Sequence, residues 1–276
     1  MSLSNRVIPI LLYHRVTDEP VEALRAYAVS PSSFAQQMLF LSNNGYRTVS
    51  LQDLVDHRQT GKPLPKKPIV ITFDDGYRDN YVHAYPLLLR HGFTAIVFLV
   101  AKMVSKLALW DRAFGGPPPK LLSWTEIAEM ADGGISFGSH ACTHPALTRL
   151  PVHLAREEIV RSKEIVETGL QRPVSLFAFP YNETSQTLRD MVAESGYLAA
   201  CSSSWGRSDR ADGIFDLRRL AILSSHDIRY FQWAIEDEST LPLMRRWLRG
   251  KRAALRRFFG DNNYGRALEG SGTNGK

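Results

Sequence analysis

The chain is 276 residues long, 44% hydrophobic and 10% aromatic, with 34 basic residues against 28 acidic ones and a formal charge of +6. It can fill a core for one large domain or two small ones, which excludes a disordered polyelectrolyte; 19 Gly and 15 Pro without periodicity exclude collagen and coiled coil. Two cysteines, Cys142 and Cys201, are too few for a secreted disulfide scaffold and lack the CxxC spacing of a zinc knuckle.

Residues 7–13 form an apolar run that reads as a buried strand; they are too short for an export signal, and no stretch approaches the ~20 apolar residues that cross a bilayer. A helix is predicted over 34–43, stopped by Gly45, then a strand over 46–49 and a helix to about 57 with Ser50 as its cap. Four breakers between Gly61 and Pro68 mark a linker. A strand over 68–73 follows, then a helix over 81–91 that Pro86 must kink or divide, and a strand over 94–100. The Gly115–Pro119 loop precedes a short helix with Ser123 and Glu126 as its capping box. Strands over 135–138, 176–179, 197–201 and 217–222 alternate with helices over 152–168 and 186–194.

The positive charge is concentrated. Seven of the 34 basic residues lie between Met244 and Phe259, where no acidic residue occurs; the rest of the chain has 27 basic against 28 acidic residues. Apolar residues recur there at helical spacing, leaving a cationic face. Three readings stay open for it: a terminal helix docked on the body, peripheral contact with anionic membrane, and, last, nucleic acid. The expected division is a domain over 1–240, a basic amphipathic segment over 241–260 and a disordered tail over 261–276. The cysteine usage and the lack of an export signal lead us to expect a cytoplasmic protein, peripheral at the inner membrane face through that segment.

Apolar strands alternating with helices imply parallel pairing, as an α/β barrel or a doubly wound sheet. The chemistry-bearing residues favour a barrel: Asp74 and Asp75 end one predicted strand, His140 another and Pro180 a third, and barrel sites collect at the C-terminal ends of several strands. Asp74-Asp75-Gly76 taken alone is also an ordinary turn sequence. His140 and His144, spaced i and i+4, can bind one metal from a single helical turn, with a carboxylate from elsewhere completing the site. A two-His, one-carboxylate set leaves positions open for water, as a catalytic metal requires. Tyr77, Trp110, Trp124 and Trp205 are candidates for stacking on sugar rings or for plain core packing, and Cys142 lies between the two histidines.

At these motifs the chain resembles the polysaccharide deacetylases, the NodB-homology proteins of carbohydrate esterase family 4. Thr72-Phe73-Asp74-Asp75-Gly76 is similar to their first motif, His140 to His144 to their second, and Phe177-Ala178-Phe179-Pro180-Tyr181 to their third; Leu12-Tyr13-His14-Arg15-Val16 is similar to the opening of many bacterial members. The resemblance implies a distorted (β/α) barrel with about seven parallel strands and the removal of N-acetyl groups from an amino-sugar glycan. It implies that Asp75, His140 and His144 hold one divalent metal, zinc by default, with cobalt, nickel or manganese fitting the same ligands. It assigns Asp74 as base, the Tyr181 peptide N–H to the oxyanion, and an acid for which His226 in Leu223-Ser224-Ser225-His226 is the first candidate and His14 the second. A related metallohydrolase acting on a non-sugar amide or O-acetyl ester, and a silent glycan-binding relative, are the alternatives. The chain departs from the family pattern at Ala141, where Ser or Thr is usual, at Phe179, near which an Arg often orients the base, and at Asn182, where Gly is common.

Overall fold

The computed structural model describes residues 7–202 and 213–236. The basic segment, the tail and Trp205 lie outside the described residues. In chain order the elements are β1 (Ile10–Tyr13), β2 (Arg15–Val16), β3 (Ala28–Val29), α1 (Pro31–Asn43), β4 (Arg47–Thr48), α2 (Leu51–Thr60) and β5 (Pro68–Phe73). They continue with α3 (Tyr85–Arg90), β6 (Ile96–Leu99), α4 (Trp124–Asp132), β7 (Ser136–Ser139), α5 (Val152–Leu170), β8 (Leu176–Ala178), α6 (Gln186–Glu194), β9 (Ala199–Cys201), β10 (Leu220–Ala221) and α7 (Ile228–Glu236).

Seven strands, β10-β1-β5-β6-β7-β8-β9, pair in parallel into the expected distorted (β/α) barrel. β4 adds to the lower end of β5. Between the outer strands, an isolated parallel bridge joins Cys201 to Leu217, just ahead of β10.

Alternate residues of these strands enter two different cores, because successive side chains point to opposite faces. Ile10, Val70, Ile96, Phe98, Leu176, Ala178, Ala199 and Cys201 pack together in the barrel interior. Leu11, Tyr13, Ile71, Phe73, Val97, Leu99, Phe137 and Phe177 meet the surrounding helices. Burial on both faces explains why the strands read as unbroken apolar runs rather than alternating ones. The interior parity, carried past the strand ends, brings His14, Asp74, His140 and Pro180 to one rim. Gly138 lies beneath His140 because the barrel has no room for a side chain: a Cβ there would meet the Phe98 ring at 2.5 Å and the Leu176 carbonyl oxygen at 2.9 Å.

Local signals account for most element ends. Ser50 with Asp53 and Ser123 with Glu126 form complete capping boxes at α2 and α4. α1 begins three residues before its predicted start, since Pro31 occupies its first turn and the Ser30 hydroxyl accepts the Ser33 N–H. Pro86 is accommodated by a change of helix type: a π-helical turn, Asn80–Ala84, runs directly into α3, and Pro86 lies in the first turn of α3.

Candidate active site

β5 delivers the two carboxylates. The Asp74 N–H continues the ladder by donating to the Tyr13 carbonyl (3.0 Å), so the end of β1, with His14, lies beside it. The chain then turns sharply: Asp75 and Gly76 have φ of 72° and 70°, a left-handed pair that Asp tolerates and Gly adopts freely. The Asp-Gly turn and the carboxylate site are therefore the same structure.

His140 and His144 come to Asp75, but not on a helical turn as their spacing predicts. They flank an irregular loop after β7, in which Ala141 (φ 62°) and His144 (φ 65°) are left-handed. The parity of β7 aims His140 inward, and the reversed backbone returns His144 to the same point. His140 Nδ1 donates to the Ala178 carbonyl oxygen at 2.8 Å, which turns Nε2 toward Asp75 Oδ1, 3.4 Å away. His144 Nδ1 lies 3.2 Å from the Tyr181 hydroxyl, with Nε2 3.1 Å from the same Oδ1.

All three side chains are buried, and their ligating atoms lie within 4.8 Å of one another; this is the one such cluster among the described residues. Asp75 Oδ1 is buried without a well-directed hydrogen bond. A buried oxygen lacking a donor, faced by two imidazoles whose other nitrogens are tied back, fits a divalent transition metal. Burial alone would raise Asp75, but His144 and His140 hold it well below the usual carboxylate range. Cys142 does not join the cluster; burial, reinforced by the Glu158 charge, pushes its thiol up to about 12, so it stays protonated.

Asp74 is held differently. Arg219 clamps it with two hydrogen bonds of 2.7 Å, both residues being buried. Arg219 enters at the start of β10, and β10 and β5 both pair with β1 such that Leu220 and Ile71 share Leu11 as partner. Its own level is thus below the strand end, and the length of the side chain carries the guanidinium up to Asp74, past Thr72 Oγ1 (3.2 Å) and near the Phe98 ring (5.7 Å). Burial would raise the Asp74 pKa, but the Arg219 charge overrides it and holds the carboxyl below its ordinary value.

Sequence reasoning missed Arg219 because the family's orienting Arg is expected near Phe179, some forty residues earlier. The available signal was an arginine pair, Arg218-Arg219, inside the strand predicted over 217–222. Asn182 also falls into place: it is left-handed (φ 59°), as Asn can be where Gly is usual, and its Oδ1 accepts from Arg219 at 3.1 Å. Thr143 supplies the hydroxyl that Ala141 lacks, donating to Glu158 at 2.9 Å.

The two acid candidates are placed differently. His14 is close enough to feel the charges of Asp75, Asp74, Arg219 and His140; burial lowers its pKa and the two carboxylates partly offset this. The Asn80 side chain holds its carbonyl at 2.9 Å. His226 precedes α7, where its Nδ1 accepts the Leu223 N–H (3.1 Å) and its ring stacks on Tyr230 at 3.9 Å. Tyr181 is left-handed (φ 55°) in the turn Pro180–Asn182, its ring 4.6 Å from that of His144.

Among the aromatic candidates, Trp110 stacks on His144 with ring centroids 4.7 Å apart. Tyr77 is buried and donates to Asp111 at 2.8 Å. Asp111 is pushed up to about 7 by burial, reinforced by the Asp75 charge. Trp124 packs against the main core, over Gly169.

YxkH of Bacillus subtilis (strain 168), provisionally named a polysaccharide deacetylase, is 27% identical over 215 residues, 78% of this chain and 71% of that protein. The poly-beta-1,6-N-acetyl-D-glucosamine N-deacetylase of Escherichia coli (strain K12) is 26% identical over 216 residues, 67% of this chain; the match spans 32% of that protein, about a third of its length. The solved structure of a Streptococcus pyogenes deacetylase in complex with acetate superposes with a TM-score of 0.75 at 25% identity, covering 84% of this chain and 100% of that one. The sequence profile of the polysaccharide deacetylases matches residues 61–200, a span that contains Asp74, Asp75, His140 and His144 but neither His14 nor Arg219. That match covers half of the chain and includes both motif pairs gathered at the rim, and the chain belongs to the polysaccharide deacetylase family.

Proposed function

We propose that this protein is a metal-dependent hydrolase that removes N-acetyl groups from an amino-sugar glycan. The observation that carries the reading is the pairing, on one barrel rim, of a buried carboxylate clamped ionised by Arg219 with a second carboxylate that two histidines face. The E. coli relative is named for a β-1,6-linked N-acetylglucosamine polymer, which makes that polymer the first substrate to test.

Asp75, His140 and His144 would hold the metal, and a divalent cation there supplies Lewis acidity to a water and to the amide carbonyl. Asp74 takes a proton from the attacking water as its oxygen bonds to the carbonyl carbon. The Arg219 clamp keeps Asp74 charged and fixes which lone pair faces that water. The Tyr181 peptide N–H donates to the oxygen on which negative charge develops. We assign the acid to His14 rather than His226, because His14 shares its electrostatic surroundings with Asp74, Asp75 and His140. His14 protonates the departing nitrogen as the C–N bond breaks, leaving acetate and a free amine.

Acetate release from poly-β-1,6-N-acetylglucosamine, chitooligosaccharide, peptidoglycan fragments and lipid-linked N-acetylglucosamine, with and without chelator, tests the reading. No chelator-sensitive release from any of them would refute it. His14→Gln is expected to lower kcat and His226→Gln to leave it; the reverse result returns the acid to His226. The proposal includes a cytoplasmic location and peripheral contact of residues 244–259 with anionic membrane, supported by the seven basic residues there. Equal co-sedimentation with anionic vesicles, in low salt, of the full chain and of one ending near residue 241 would remove that part.

A further inference from the structure

The loop that carries the two histidines is costly to form. Ala141 (φ 62°) and His144 (φ 65°) are both non-glycine residues in the left-handed region, which L side chains disfavour. Such a conformation persists only where its surroundings over-determine it, so its backbone groups must be accounted for. The carbonyls of Ala141 and Cys142 accept the N–H groups of Ala101 (3.0 Å) and Lys102 (2.9 Å), from the turn that follows β6. On the other side, the N–H groups of Cys142 and Thr143 both donate to Glu158 Oε2, at 2.8 and 2.9 Å, and the Thr143 hydroxyl donates to Oε1 at 2.9 Å.

Glu158 belongs to α5, a turn after the buried Ala155 and next to the buried Ile159. It is anchored to the body of the domain through a nineteen-residue helix. The histidine loop is thus gripped between a turn and a helix, and the helix contributes one carboxylate that saturates three consecutive donors.

We propose that Glu158 is the positioning residue of the histidine pair: its carboxylate holds residues 141–144 in the left-handed path that brings His144 Nε2 to the same point as His140 Nε2. This rests on the reading that Asp75, His140 and His144 bind a divalent cation. Glu158 does not touch that point; it acts by reach and acceptor geometry. Glu158→Gln keeps the reach and an acceptor oxygen for the two N–H groups, while its amide can donate to the Thr143 oxygen. Glu158→Asp keeps the charge but withdraws the carboxylate by one methylene.

The test is cobalt(II) binding to the full chain, by competition with a chelator and by the visible spectrum of the bound ion, with thermal unfolding of each variant alongside. Glu158→Ala and Glu158→Asp are expected to weaken cobalt binding by about 10–100-fold and to alter the spectrum, as removal of groups that orient metal ligands does. Glu158→Gln is expected to stay within about threefold of the parent, since its hydrogen bonds are replaced by neutral ones of similar geometry. Parent-like affinity in Glu158→Asp, or a loss in Glu158→Gln as large as in Glu158→Asp, overturns the proposal. Should Glu158→Ala not fold, the Asp and Gln pair still decides. Failure of the parent chain to bind cobalt, or unchanged binding in His140→Ala, would instead sink the metal-site reading beneath it.

Discussion

The two sides of the rim are built by opposite means. On the strand side, Asp74 takes its place from the β1–β5 ladder and its charge from Arg219, 145 residues away in the chain. On the loop side, His140 and His144 are four residues apart, and they converge only because the backbone between them is forced into left-handed conformations and gripped by Glu158. Register supplies precision to the first, where a one-residue slip would turn Asp74 to the other face. Hydrogen-bond accounting supplies it to the second. The strand side should therefore fail through electrostatics and the loop side through geometry.

The largest expected effect breaks the chemistry on the strand side alone. Asp74→Asn should lower kcat by about 10²–10⁴, the usual worth of a general base. Cobalt affinity should stay unchanged, because Asp75 and the histidines are untouched; acetate release and a cobalt titration together check this. Release at the parent rate would remove Asp74 from the mechanism.

Next is the clamp. Arg219→Ala strands a buried carboxylate and should destabilise the fold by about 3–5 kcal/mol, read by urea unfolding with Asp74→Asn as reference. In the double variant Arg219→Ala/Asp74→Asn, part of that loss should return, since no charge is left unpaired. A double variant no more stable than Arg219→Ala would mean that Arg219 acts through packing.

Asp111 offers a pH test of the loop side. Its folded pKa of about 7 lies above the unfolded value, so the folded state binds the proton more tightly. The associated stability is fully present below the unfolded pKa, near 4, and is lost as pH rises through 7, by up to about 4 kcal/mol. The metal-free parent should melt at lower temperature at pH 8 than at pH 5, and Asp111→Asn should flatten that slope. An unchanged slope in the variant would assign the pH dependence to other groups.

The smallest effect separates strain that serves the site from strain that does not. Gln171, left-handed at the end of α5, is exposed and leads into the start of β8, the end of the strand opposite the rim. Gln171→Gly should stabilise by about 0.5 kcal/mol, the relief of the left-handed residue less the greater entropy of the unfolded glycine. Activity should not move; a fall in acetate release would tie the α5 terminus to the site.

Much of this was legible in the chain. The Ser50 cap, the Ser123 capping box, the run 68–73 and the helix over 186–194 depend on contacts within a few residues, and they appear where expected. Asp74, Asp75, His140 and His144 were legible because short spacings carry their chemistry. The helical turn expected for the histidine pair was not found, since i, i+4 spacing describes two residues on a helix without requiring one. His226 was legible only through the Leu-x-x-His pattern that the resemblance supplies, and such a pattern carries no information about distance from Asp74.

By itself, then, the sequence determined the alternation of buried strands with capped helices and the identity of the residues that could bind metal or take a proton, because both are written in local pattern and side-chain chemistry. Only the tertiary structure decided that Arg219 pairs with Asp74, that His14 lies at the rim, and that Glu158 holds the histidine loop. Those partnerships join positions 14, 74, 158 and 219 through parallel pairing and helix packing, and no local interaction encodes contacts across such distances in the chain.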